Sequence, residues 1–316
     1  MKQPGAPGSP ALLAISSHLP ETIPVSGLQD RLALSDQQVR RFTRLYGLDR
    51  ICQSAASEVD LLVAAAGKLD ELAGREEDVR YIVRAKGLRT TAPYPRNPVQ
   101  EFRQVMGLSR ARTFAVEDHG CATGLLALDV AATLLAQDGD PDALALVLLG
   151  DKTLTPFSQW VADVSIMGEG VAVALVAAGG TRDRILGYAS RIHGRPDGQI
   201  DMTPDLAKQA RKIYQDALAE VVQAACEQAG ITVDDLDLVL PHNVNRVSWT
   251  VAGDRLGLPQ EKLFLDNIAA TGHCFCADPF INHRSARELG RLQPGDRYLM
   301  TSAGLGQAFA AMVLQH

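Results

Sequence analysis

Residues 112–149 read RTFAVEDHGCATGLLALDVAATLLAQDGDPDALALVLL. Two short apolar runs, Thr113–Val116 and Ala145–Leu149, bracket a Gly120-Cys121 turn, an apolar helical stretch over Leu125–Leu135 and an Asp138-Gly139-Asp140-Pro141 break. A strand that enters a helix through small residues and returns to a strand through a Gly/Asp/Pro turn is the repeating unit of an open α/β sheet. Residues 261–302, EKLFLDNIAATGHCFCADPFINHRSARELGRLQPGDRYLMTS, carry the same unit. Here a strand runs into Thr271-Gly272-His273, a helix follows, and Pro294-Gly295-Asp296 leads to a strand near Arg297. Cys121 stands 24 residues before Ala145, and His273 stands 24 before Arg297. The equal separations predict two similar halves, with Cys121 and His273 in equivalent loops at helix N-termini.

Along the rest of the chain, candidate strands at Leu12–Ser16, Tyr81–Val83, Val171–Val176, Ile185–Ile192, Leu236–Leu240 and Ala308–Leu314, with Lys262–Leu265 and Tyr298–Ser302 of the second stretch, alternate with helical segments. The clearest helix covers Leu206–Gln228, where Ala210, Ile213, Ala217, Leu218, Val221, Val222 and Ala225 recur at helical spacing and Gly230 marks the end. The pattern divides the chain into a Pro/Gly-rich tail over 1–10, an N-terminal half over 11–180 and a C-terminal half over 181–316. With 46% hydrophobic and 22% charged residues, the 316-residue chain is neither disordered nor fibrous, so a large core is expected. A net charge of −6 excludes the global basic field that drives nonspecific binding to nucleic acid, and any acidic partner must meet a local basic patch. Five cysteines, an odd number in a long chain, predict reduced thiols in the cytoplasm. The runs Leu125–Ala136 and Val171–Ala178 fall short of the ~20 residues that span a bilayer, and MKQPGAPGSP lacks the apolar length of a signal peptide; no membrane segment is expected.

Two segments carry the chemistry. Gly120-Cys121-Ala122-Thr123-Gly124 opens an apolar helix after a strand, and a cysteine at a helix N-terminus gains from the dipole and from free backbone N–H groups, both of which favour thiolate. The same turn also suits a buried, inert cysteine. Leu238-Val239-Leu240-Pro241-His242-Asn243-Val244-Asn245 is an apolar strand ending in groups that exchange protons and donate hydrogen bonds, at the strand end where open α/β sheets place their sites. A histidine capping the next helix is the alternative there. Cys274-Phe275-Cys276 lacks a second ligand pair at zinc spacing and reads as packing, so no metal is expected; His119 reads as a solvent-facing loop residue, and His193 and His283 have no chemical context.

The Pro-His-x-x-Asn segment, the Cys121 helix, Ser165-Ile166-Met167-Gly168-Glu169-Gly170 before a strand, and Ser302-Ala303-Gly304-Leu305-Gly306 together resemble the thiolase-like condensing enzymes, above all β-ketoacyl-acyl-carrier-protein synthase III. The agreement in motif order runs from Ala11-Leu12-Leu13 nearly to the C-terminus. The resemblance implies a thiolase-like, five-layered α/β/α/β/α fold of two similar halves, and a homodimer. It implies that Cys121 is the acylated nucleophile and that His242 polarises the incoming thioester. Where the family has an Asn in Gly-Asn-Thr-Ser, this chain reads Gly272-His273-Cys274-Phe275, so His273 replaces Asn and a Cys-His-His set results. A neutral histidine donating from one ring nitrogen is able to replace the Asn amide in stabilising the enolate formed when a malonyl thioester loses carbon dioxide.

The resemblance further implies that Gly304, Leu305 and Gly306 form a loop whose Leu305 N–H, with that of Cys121, makes an oxyanion hole. Asn245 and Arg44 are then substrate-binding residues, and Arg211, Lys212 and Arg246 a basic rim for an acidic acyl carrier protein. Arg40 stands where the family has an aromatic for the adenine of coenzyme A, which favours a carrier-bound donor; Arg40, Arg41 and Arg44 make a second basic face. No resident cofactor is expected, since acyl groups travel on the phosphopantetheine of the carrier or of coenzyme A. Decarboxylative condensation in fatty-acid-like or polyketide biosynthesis is the expected reaction. The rival is transfer of the acyl group to an alcohol or amine, with His242 as general base. Tyr94, Phe157, Trp160 and Phe309 are candidates to shape the acyl pocket.

Overall fold

A computed structural model describes residues 9–88, 95–161, 164–193 and 204–316, without the side chains of residues 157 and 204–212. The first half supplies strands β1 (Ala11–His18), β2 (Val79–Ala85), β3 (Arg112–Val116), β4 (Leu144–Leu149) and β5 (Val171–Ala177). Its helices are α1 (Glu58–Ala66), α2 (Pro98–Val105) and α3 (Thr123–Asp138). The second half supplies β6 (Arg184–Ile192), β7 (Leu238–Pro241), β8 (Arg297–Gly304) and β9 (Ala308–Gln315), with α4 (Pro204–Ala229), α5 (Arg246–Leu256) and α6 (Asp278–Glu288).

The sheet runs in the order β3-β2-β4-β5-β1-β6-β9-β8-β7. In the first half β2 pairs in parallel with β3 and β4, and β5 runs antiparallel to β4 and β1. In the second half β7 and β8 are parallel, and β9 runs antiparallel to β8 and β6. Beyond β7, Leu263 bridges in parallel to Val239, in the place that β3 holds in the first half. Each half thus has its last strand antiparallel between its first strand and the strand just before it in the chain, and the halves meet antiparallel through the pair Ala11↔Arg184. The predicted duplication is present as topology.

Burial explains why the strands read as unbroken apolar runs. All of β4 and β5 are buried, because both faces of the sheet are covered. Leu144, Leu146 and Leu148 face α1 and α2, while Ala145, Val147 and Leu149 face α3. The same central cluster takes in Phe280, Ile281 and Ala286 of α6, and Leu238, Leu240, Met300 and Met312 of the second half. The outer face of that half packs on α4 and α5 through Ala217, Val221, Val222, Trp249 and Ala252. The layers are therefore α1 and α2, sheet, α3 and α6, sheet, α4 and α5, which is the expected five-layered arrangement. By hydropathy and length alone Gly120–Asp138 would cross a bilayer, which the sequence reading missed. In the fold this stretch carries α3, whose apolar residues fill the central layer between the sheets.

Two expectations are corrected. Lys262–Leu265 is no strand beyond the Leu263 bridge, because a short 3-10 turn over Gln260–Lys262 uses its start. The loop register is also different. The 3-10 turns heading α3 and α6 are Gly120–Ala122 and Phe275–Ala277, so the topological counterpart of Cys121 is Cys276, and His273 lies in the loop before the turn. Helix α6 has 11 residues against 16 in α3, and longer flanking loops restore the equal separations.

Candidate active site

Cys121 sits at the head of α3, 8% exposed. Its turn needs glycine twice. Gly120 has φ +52°, and a Cβ there would lie 2.9 Å from Leu305 N; a Cβ on Gly304 would lie 2.0 Å from His119 O and 2.8 Å from Cys121 N. The end of β8 therefore crosses directly over the cysteine turn, and Ser302 Oγ fastens it by donating to Cys121 O at 2.8 Å. The Leu305 side chain is exposed, so that residue can serve the site only through its backbone.

His273 reaches the same point from the second half. Its N–H donates to Ile166 O at 3.1 Å and its carbonyl accepts from Gly168 N at 2.9 Å, so the Ser165–Gly170 segment of the first half sets the loop. Gly168 permits this contact, because a Cβ there would lie 2.2 Å from Thr271 O. The imidazole Nε2 lies 3.1 Å from Cys121 Sγ, and Nδ1 lies 2.5 Å from Asp278 Oδ2. Asp278 is fully buried in the first turn of α6 and also accepts from Cys274 N at 2.8 Å and Asn243 N at 2.6 Å. Asn243 is held in turn by Asn282, which also donates to Pro241 O. A thiol, an imidazole and a carboxylate thus stand in line across the two halves, an arrangement able to supply a nucleophile, its base and an orienting group.

Burial pulls the His273 ring down, but the charges of Cys121 and Asp278 and its hydrogen bonds to both outweigh it and push it up to about 10. His242, at the end of β7, goes the other way: burial, then the charge of His273, holds it well below the ordinary histidine range. The rings are 5.4 Å apart, so a charged and a neutral imidazole face one small volume. His242 Nε2 lies 3.5 Å from Tyr214 Oη, its carbonyl accepts from Trp249 Nε1 at 2.6 Å, and its Nδ1 has no partner among the described residues. Because Asp278 takes the hydrogen on Nδ1, a neutral His273 presents a lone pair at Nε2. The donor role expected of a neutral His273 thus requires the charged ring.

Asp278 was absent from the sequence reading. The spacing of an Asp five residues after His273, at the start of a helix and followed by Pro279, was the available signal. Asn245 is a correction: its Oδ1 caps α5 by accepting from Ser248 N at 2.7 Å, and its Nδ2 donates to Val164 O at 3.0 Å, so both ends of the amide are engaged by the fold. Arg44 and Arg246 are exposed and on adjoining segments, since Arg246 N donates to Tyr46 O and its side chain crosses Gly47. The side chains of Arg211 and Lys212, like Tyr94 and the Phe157 side chain, lie outside the described residues. Phe309 packs edge-on against Tyr214 at 5.5 Å, beside His242, while Trp160 turns away from Cys121. Cys274 and Cys276 are fully buried packing residues. His119 is half-buried, and its Nδ1 is enclosed without a partner among the described residues, which corrects its reading as solvent-facing. His283 has a context after all. With His316 and Tyr298 it converges on Asp183 Oδ1, at 3.3, 2.7 and 2.9 Å.

Residues 226–316 match the family described as 3-oxoacyl-[acyl-carrier-protein] synthase III, C terminal. The β-ketoacyl-[acyl-carrier-protein] synthase III of Rhizorhabdus wittichii is 26% identical over 275 residues, covering 81% of this chain and 83% of that protein. The chain is ketosynthase III-like in sequence and thiolase-like in fold. Among solved structures, the ketosynthase III of Thermus thermophilus superposes with a TM-score of 0.79 at 23% identity, over 97% of this chain and 99% of that one. ChlB3, titled an acyltransferase, superposes with a TM-score of 0.84 at 22% identity, over 97% of both chains. These two likenesses carry the fold. The ketosynthase III-like assignment places the chain in an acyltransferase enzyme family.

Proposed function

We propose that the protein takes an acyl group from a carrier thioester onto Cys121 and condenses it with a malonyl-type carrier thioester, with loss of carbon dioxide. The Cys121–His273–Asp278 line is the observation that carries this reading. In the first half-reaction His273 receives the thiol proton, Sγ attacks the thioester carbon, and the departing pantetheine thiolate takes the proton back. The N–H groups of Cys121 and Leu305 are proposed to meet the oxyanion, a reading supported by the close crossing of β8 over the turn. In the second, the malonyl C–C bond to the carboxylate breaks, the enolate carbon attacks the acyl carbonyl, and Cys121 leaves as thiolate. Overall one proton is taken up from water. His273 in its charged form and His242 flank the enolate oxygen, and each such donor is typically worth about 3–4 kcal/mol of barrier.

Transfer to a hydroxyl or amine is the rival reading, which the same residues would serve. A carboxylate that fixes Nδ1–H leaves Nε2 of neutral His273 as the base for the acceptor's proton, which places the base role on His273 and not on His242. Mass spectrometry of Cys121 with carrier-linked acyl donors, followed by measurement of carbon dioxide from malonyl carrier, separates the readings. An adduct with carbon dioxide release supports condensation, an adduct discharged by nucleophiles alone supports transfer, and no adduct overturns both.

The reading extends to the partners. Arg44 and Arg246, with Arg211 and Lys212, are proposed to meet an acidic acyl carrier protein, so salt should raise KM for the carrier. Acyl groups arrive on phosphopantetheine, and no resident cofactor enters either step. A homodimer and a cytoplasmic location complete the proposal; the five free, buried cysteines suit a reducing compartment.

A further inference from the structure

A small hairpin beside the nucleophile has two unlike faces. Trp160 pairs with Ile166 and Val161 with Ser165, antiparallel, and Met167 N donates to Gln159 O at 2.8 Å, which extends the pairing by one step. Residues directly opposite each other share a face and successive residues alternate. Val161, Ser165 and Met167 therefore lie on one side, Trp160 and Ile166 on the other, and Gln159, the last residue of a short helix over Pro156–Gln159, stands at the step opposite Met167. The packing agrees. Trp160 and Ile166 belong to the apolar cluster of α4 and α5, whereas Val161 and Met167 pack with Cys121 and Phe275.

The face turned toward Cys121 thus carries the Ser165 hydroxyl as well, and Gln159 stands at its edge, opposite Met167. Both residues are 0% exposed. Neither the Gln159 Nε2 nor its Oε1 nor the Ser165 Oγ has a hydrogen-bond partner among the described residues. A buried amide with both ends unpaired opposes folding, since it gives up its water without replacement. A wall built only to hold an alkyl chain would have an aliphatic residue at 159. A donor and two acceptors on the wall beside the thioester are what a polar acyl group would satisfy when it enters.

We propose that the acyl group loaded on Cys121 carries a hydrogen-bonding function, a hydroxyl or a heteroaromatic nitrogen, which the Gln159 amide and the Ser165 hydroxyl recognise. This inference rests on Cys121 being the acylated residue and adds the class of acyl group. A site built to bond a polar group rejects the apolar isostere because its own groups are then left unpaired.

The test uses isosteric pairs of acyl-pantetheine thioesters with the full chain: 3-hydroxybutyryl against 3-methylbutyryl, and nicotinoyl against benzoyl. Acylation of Cys121 is timed by intact-protein mass. The polar member of at least one pair should load tenfold or more faster, which corresponds to about 1.4 kcal/mol. Gln159→Leu, close in volume, should reverse or erase that preference, and Ser165→Ala should reduce it. Both variants are checked by circular dichroism, and Ser165→Ala serves if Gln159→Leu fails to fold. Equal loading within both pairs, loading only by a straight hexanoyl chain, or a preference unchanged in a folded variant would each overturn the inference. If no donor of any kind acylates Cys121, the proposed function itself fails, a result distinct from acylation without a polar preference.

Discussion

Cys121 and Cys276 occupy corresponding places in the two halves, each in a 3-10 turn ending in Cys-Ala at the head of a central-layer helix. Both sit where the head of a helix leaves backbone N–H groups free. Their surroundings differ. Cys121 faces the His273 ring at 3.1 Å, while Cys276 Sγ donates to Ala85 O at 3.5 Å and is pushed up by burial and by the carboxylate of Asp151. A helix N-terminus does not by itself make a nucleophile; the facing half must bring a base to it. The duplication supplied two equivalent turns, and the chemistry uses one turn for sulfur and the loop before the other for the histidine.

The largest effect should come from exchanging the fates of the two cysteines. Cys121→Ala should abolish the acyl adduct seen by intact mass, and Cys276→Ala should keep it; an adduct surviving in Cys121→Ala would break the comparison. Next, Asp278→Asn leaves His273 without its orienting charge. Acylation should slow by roughly 10³-fold or more, by the precedent of triads that lose their carboxylate. A loss under tenfold would reduce Asp278 to a loop anchor. Gly304→Ala acts only on the Cys121 turn, where the new Cβ meets backbone atoms. Acylation should fall tenfold or more, and thermal stability should fall with it, since overpacking costs about 1–3 kcal/mol.

The two smallest effects are pH dependences of stability. His273 rises from an ordinary value near 6.5 to about 10 on folding, so its contribution is complete below pH 6.5 and is lost as pH rises toward 10. The wild type should therefore lose Tm over that range, and Cys121→Ala, lacking one of the two charges that raise the ring, should lose less. Asp183 works at the acid end. Burial pulls it up, but the hydrogen bonds and charges of His283 and His316 outweigh this and hold it at about 2. Its contribution, about 2 kcal/mol, is present above pH 4 and lost between 4 and 2, and Asp183→Asn should flatten that limb in acid denaturation.

Much of this was legible in the sequence. The strand-turn-helix-turn-strand unit at 112–149 and its echo at 261–302 gave the fold class, because punctuation and period survive without tertiary context. Cys121, His242 and His273 were legible because each sits at the junction of an apolar run and a polar turn. Asp278 was not, since an acidic residue opening a helix is also the ordinary way to begin one. Its role depends on a 2.5 Å contact to a ring five residues earlier. Asn245 was misread for the converse reason: a helix cap and a substrate ligand look alike in sequence, and only the partners of its two amide ends decide. The pairing of Cys121 with His273 failed as an alignment because loop lengths and helix lengths offset each other.

The seam between β1 and β6 bears on how the protein is made. The nucleophile comes from residues synthesised early, and its base and carboxylate from residues synthesised more than 150 positions later. While the first half emerges from the ribosome, Cys121 is an ordinary thiol without His273 beside it. On the proposed mechanism, reactivity toward thioesters switches on only when the second half closes the seam, so acylation of Cys121 during renaturation should serve as a clock for the last step of folding rather than for the first collapse.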